Sequence, residues 1–128
     1  MNIDATGKIL GRLASRVAEE ASDAEVTVLN TEDAVISGDE EDVQEEYRQK
    51  YERGARDRGP YFPRSPDRIV HKTISGMLAD DAESNLKTLI GNPDNVETAE
   101  VSVKTGDDTK NREYVRIGDI SRSLGWER

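Results

Sequence analysis

Cysteine is absent from the 128 residues, and His71 is the single histidine. Disulfides and thiol chemistry are thereby excluded, and the usual zinc spacings of Cys and His cannot be built. Long apolar runs are missing too. Nothing approaches the ~20 residues of a membrane-crossing helix, and Met1 is not followed by a secretory leader pattern. We therefore expect a cytoplasmic protein. Lysine is scarce, with six Lys against twelve Arg and 27 Asp or Glu. An acidic, lysine-poor surface suits a cytoplasm of high salt, where charge is screened within ~3 Å at 1 M, so composition points to a halophilic source. The length suits one domain spanning residues 1–128, able to bury a core without staples.

A net charge of −9 and a pI of about 4.7 argue at first sight against nucleic acid. The placement of the basic residues reverses that inference. From Arg48 to Lys72, eight Lys or Arg stand against three Asp or Glu, whereas the remainder carries ten against twenty-four. Within this segment, Arg53 to Arg68 holds five arginines (Arg53, Arg56, Arg58, Arg64 and Arg68), the adjacent aromatics Tyr61 and Phe62, and three of the four prolines. Pro60, Pro63 and Pro66 fix φ and bar helix around them. The sequence thus predicts a stiff, extended, basic loop at about 54–65. Guanidinium forks grip phosphates, and aromatic faces receive unstacked bases, a combination that points to RNA. The same composition also describes a Pro-rich surface loop with solvated charges.

Elsewhere the pattern alternates between strand and helix. Asn2–Ala5 reads as a first strand. Ile9, Leu10, Leu13, Ala14, Val17, Ala18 and Ala21 recur at helical spacing, with Thr6 placed to cap the helix. Arg12 and Arg16 sit on its polar face beside Glu19 and Glu20, where intrahelical pairing and a phosphate-facing edge are equally open readings. Glu25–Leu29 and Ala34–Ile36 read as strands. A helix from Asp39 carries Val43, Tyr47 and Tyr51, with Gly54 as its expected stop; the carboxylates at 39–42 lack the spacing of a calcium loop. Ser65-Pro66 opens a helix expected to be buried through Ile69, Val70, Thr73, Ile74, Met77 and Leu78, with Arg68 and Lys72 on an exposed face. Asp80 and Glu83 suggest a short capped helix, and Leu86–Ile90 a strand. Residues 94–110 are polar, with one alternation at Val101 and Val103, and suit a peripheral hairpin turning at Thr105–Asp108. Tyr114, Val115 and Ile117 read as a late strand, and Asp119–Leu124 as a helix closed by Gly125. The fold class expected is α/β, with a largely parallel sheet covered on both faces.

Two other functions compete with RNA binding. The Gly7–Gly11 stretch could serve a small phosphate-handling α/β enzyme, but it matches neither the Walker nor the dinucleotide pattern, and no nucleophile–base set accompanies it. The acidic helix from Asp39 could make the chain an interaction module for a basic partner.

The motifs also resemble a known family. Ile3-Asp4-Ala5, Gly7 and Leu10–Ser15 are similar to the opening of the universal large-subunit ribosomal protein number thirteen family. Asn30, Ala34–Gly38, Arg58–Ile69, Thr73-Ile74, Gly76–Leu78, Ile117–Ile120 and Leu124-Gly125 follow in the family's order, in its archaeal and eukaryotic form. The resemblance implies a three-layer α/β/α domain that binds large-subunit rRNA, joins the ribosome early, lies beside other large-subunit proteins, and has neither enzymatic activity nor an obligatory cofactor. By position it implies rRNA contacts at Arg12 and Arg16, and on the loop from Arg58 to Arg68 with Lys72. The sequence departs from the family after Leu78, where a Pro and a basic turn are usual and this chain has Ala79–Asn85 with three carboxylates.

Overall fold

A computed structural model describes residues 1–56, 63–106 and 113–127. Strand β1 (Asn2–Asp4) leads through helix α1 (Leu10–Ala21) to β2 (Val26–Leu29), and β3 (Val35–Ser37) leads to α2 (Glu40–Arg56). Helix α3 (Pro66–Ser75), β4 (Leu86–Thr88), β5 (Tyr114–Arg116) and α4 (Ile117–Ser123) complete the chain. β1, β2 and β4 form a parallel sheet in the order β1-β2-β4, and β3 and β5 form an antiparallel pair. The α/β class and the small, mostly parallel sheet are as the sequence predicts.

Side chains alternate across a strand, so register decides which of them meet the helices. Ile3 pairs with Val28 and Val26 with Leu86, which gathers these four buried residues on one face. Asn2, Thr27 and Lys87 are half-buried or exposed on the other face, with Leu29 buried among them. α1 joins the common core through Leu10, Leu13, Ala14, Val17 and Ala21, and packs alongside α3, which contributes Ile69, Val70 and Ile74. Full burial of a Leu, Ile or Val stabilises by roughly 1.5–3 kcal/mol, so this seam supplies much of what holds the sheet and helices together. On a second flank, α4 packs against α2, α3 and a 3-10 turn at Thr31–Asp33, and the Arg116–Asp33 ion pair ties that turn to β5.

Several local expectations are corrected. Thr6 does not cap α1: its backbone N–H and hydroxyl both donate to Asp4 Oδ1, and the helix begins only at Leu10, with Ile9 as its N-cap. Gly7, at φ +73°, turns the chain there, and Lys8 and Ile9 bridge to Thr105 and Val35 before the helix can start. Gly54 does not end α2, which continues to Arg56. A helical glycine costs about 1 kcal/mol relative to alanine, which weakens a helix without stopping it. Asp80–Asn85 forms a 3-10 helix without a side-chain cap, and Asn85 Nδ2 instead donates to the Ala21 carbonyl at the end of α1 (2.8 Å). Ile117 starts α4 rather than extending β5. α3 ends at Ser75, so Met77 and Leu78 fall beyond its buried stripe: Met77 is exposed, and Thr73 and Leu78 are half-buried.

The expected hairpin at 94–110 is replaced, over its described part, by an irregular segment along the exposed edge of β1. The Ala99 N–H donates to the Asn2 carbonyl (2.7 Å), and the Ile9 N–H to the Lys104 carbonyl (2.9 Å). Covering an edge strand in this way blocks unwanted strand pairing. The turn residues Asp107 and Asp108 lie outside the described residues.

Candidate nucleic-acid interface

The Gly7–Gly11 turn is no phosphate cradle at its first three residues. The N–H groups of Gly7, Lys8 and Ile9 already donate to the carbonyls of Asp33, Ala5 and Lys104. The Lys8 ammonium donates to the Asp4 carbonyl. Asp4 also accepts from Thr6 and from Asn30 Nδ2 (3.0 Å). Burial pushes the Asp4 carboxyl up, but the hydrogen bonds from Thr6 and Asn30, with the Lys8 charge, outweigh it and hold it below its ordinary value. Burial, aided by Glu46, pushes the Tyr47 phenol up to about 12, so it stays neutral. Among the described residues, no group of three His, Cys, Asp or Glu could hold a metal. The carboxylates at 39–42 stand exposed around the first turn of α2.

Several cations are neutralised locally. Arg16 reaches Glu20 at 3.1 Å and Glu19 at 4.0 Å, so intrahelical pairing is what holds it. On α2, Arg48 pairs with Glu45 and Lys50 with Glu46, and Arg122 pairs with Asp119 on α4. Arg12, Arg68 and Lys104 are exposed and have no carboxylate partner among the described residues. Arg12 lies on α1; Arg68 and Lys72 lie one turn apart on α3. The packing of α1 against α3 brings these strips onto neighbouring helices.

Arg64 is placed differently from a freely projecting loop arginine. It precedes the N-cap Ser65, and its guanidinium carbon lies 5.3 Å from the centre of the Tyr51 ring of α2. The ring covers one face of the guanidinium, leaving its in-plane N–H groups to donate. Arg53 and Arg56 fall in the last turns of α2. Arg58, Tyr61 and Phe62 lie outside the described residues.

Sequence reasoning missed Ser102 and Lys104. The alternation that packs Val101 and Val103 against the core turns these two residues outward, beside Arg12 and Ser15 of α1. That alternation was visible in the sequence, but the segment's neighbour was not.

These features define a small α/β scaffold that carries exposed cations on α1, α3 and residues 102–104. The sequence pattern of the family described as Ribosomal protein L13 matches residues 1–91. The chain is 47% identical over 133 residues to the large ribosomal subunit protein uL13 of Methanococcoides burtonii, covering 96% of each chain. It is 44% identical over 131 residues to that of Natronomonas pharaonis (96% of this chain, 89% of the relative) and 41% identical over 134 residues to that of Methanosarcina barkeri (96% of each). The chain belongs to the ribosomal protein L13 family, which agrees with the expectation that it is not an enzyme.

Proposed function

We propose that this protein is a structural constituent of the large ribosomal subunit that binds large-subunit rRNA, lies among neighbouring large-subunit proteins in the cytoplasm, and joins the particle early in assembly. The observation that carries the reading is the exposure of Arg12 and Arg68 on the adjacent helices α1 and α3, without a carboxylate partner among the described residues, in a chain of net charge −9. Arg12 on α1 and the Arg68–Lys72 strip on the packed helix α3 offer cations on a rigid scaffold to an RNA backbone. The segment leading into α3, with Arg58, Tyr61, Phe62 and Arg64, flanked by Arg53 and Arg56 at the end of α2 and by Arg68 and Lys72 on α3, supplies arginine forks and aromatic faces for unstacked bases. Its prolines reduce the ordering cost of binding.

Sedimentation of cell extract through a gradient in molar KCl, followed by RNA crosslinking, tests the reading. The protein is expected in large subunits, crosslinked to their rRNA, and pulse-labelled protein is expected in early precursor particles. Absence from large subunits would remove the proposal.

A further inference from the structure

Residues 102–104 form one wall of an open groove whose other wall is α1. Their position is fixed where the segment meets the start of α1. The Lys104 carbonyl accepts from Ile9 (2.9 Å), Thr105 bridges to Lys8, the Gly106 N–H donates to the Gly7 carbonyl (2.9 Å), and Val101 and Val103 pack on the core. Lys104 therefore sits on backbone held by the start of α1, although the segment contains no regular strand. Across the groove stand Arg12, Ser15, Arg16 and Glu19; Ser102 and Lys104 face them.

The charge of this groove runs against that of the molecule. Three cations line it against the Glu19 carboxylate, on a chain of net charge −9. Arg16 is held by Glu20, but Arg12 on one wall and Lys104 on the other have no carboxylate partner among the described residues. Like charges facing one open groove repel, and an anion between them converts that repulsion into attraction on both sides. Ser15 and Ser102 add neutral hydroxyl donors suited to phosphate oxygens. The groove is open rather than enclosed, which suits a passing chain of phosphates more than a single small anion.

We propose that the groove between α1 and residues 102–104 is a binding site for the phosphodiester backbone of RNA, with Lys104 and Ser102 closing on phosphates that Arg12 and Ser15 hold from the other wall. This inference rests on the rRNA-binding reading above and adds a second wall to it, from a segment outside the basic loop.

The test measures binding of the full-length protein to an in vitro transcript of large-subunit rRNA across a KCl series in which circular dichroism shows every variant folded. The variants are Lys104→Gln, Arg12→Gln, Lys104→Arg and, as a charge-matched control, Lys87→Gln on exposed β4. Each lost phosphate contact lowers the slope of log affinity against log salt by about 0.7–0.9. The expected result is that drop for Lys104→Gln and for Arg12→Gln, with Lys104→Arg and Lys87→Gln keeping the wild-type slope. A wild-type slope for Lys104→Gln, or an equal drop for Lys87→Gln, overturns the proposal while leaving wild-type binding intact. Failure of the wild-type protein to bind the transcript overturns this inference and the rRNA-binding reading together.

Discussion

Arg64 offers the sharpest test of how the basic loop is presented. Its guanidinium lies over Tyr51, and its Nη1 is 3.6 Å from where a side chain on Gly125 would begin. A cation over an aromatic face at an exposed site contributes about 0.5–1 kcal/mol. At ~1.4 kcal/mol per factor of ten, that is about a 2- to 5-fold preference for the stacked arrangement. Tyr51→Leu removes the platform while keeping the arginine, so incorporation into large subunits is expected to fall by about that factor. Arg64→Lys keeps the charge but loses both the planar stack and the two-pronged fork. A hydrogen bond to a charged group is worth about 1.5–3 kcal/mol, so the loss should reach roughly 10- to 100-fold. Arg64→Glu should be worse still. Lys110→Glu, in the polar stretch that precedes β5, should be felt weakly. The assay is competition between tagged variant and wild-type protein for assembled subunits, after circular dichroism has confirmed that each variant folds. Wild-type incorporation of both Tyr51→Leu and Arg64→Lys would refute the stacking argument. An Arg64→Glu loss no larger than that of Lys110→Glu would remove the loop as a principal RNA contact.

Three further outcomes concern stability. The acidic excess should repel itself at low ionic strength, so the thermal midpoint is expected to be higher in molar KCl than in dilute buffer; equal midpoints would sink the halophilic inference. Gly118 lies buried in the first turn of α4, where an added Cβ would stand 3.2 Å from the Glu32 carbonyl oxygen and 3.4 Å from its Cβ. Overpacking costs about 1–3 kcal/mol against a helix-propensity gain of at most about 1 kcal/mol, so Gly118→Ala should lower the melting midpoint by a few degrees, and an unchanged or raised midpoint would contradict the contact. Asp4 has its pKa lowered by folding, so its contribution is complete above its ordinary value of 3.8 and is lost as pH falls through the folded value. Acid unfolding profiles of wild type and Asp4→Asn should therefore converge at low pH, and a constant gap between them across the whole range would count against this linkage.

The clearest sequence signals were those whose cause is local. The α1 stripe is legible because burial of Leu10, Leu13, Ala14 and Val17 follows directly from a 3.6-residue period. Ser65-Pro66 marks the start of α3 because proline suits a first helical turn. The Arg68–Lys72 strip follows from the same spacing, whereas Lys104 does not, since its meaning depends on Arg12, far earlier in the chain. The misplaced start of α1 has the same origin: Thr6 is a good capping residue by type, but Asp4 engages it and Gly7–Ile9 are spent on bridges to distant segments.

The sequence by itself determined the α/β alternation, the buried stripe of α1 and the gathering of arginine and proline in one segment, because these depend on residue type and period within one stretch of chain. Only the tertiary structure decided the strand order β1-β2-β4 and the separate antiparallel pairing of β3 with β5, that Arg64 rests on Tyr51, and that residues 102–104 stand opposite Arg12. Those arrangements depend on which backbone donors remain unspent after local structure has formed and on which distant carbonyls satisfy them. That choice is made by the packing of the whole chain.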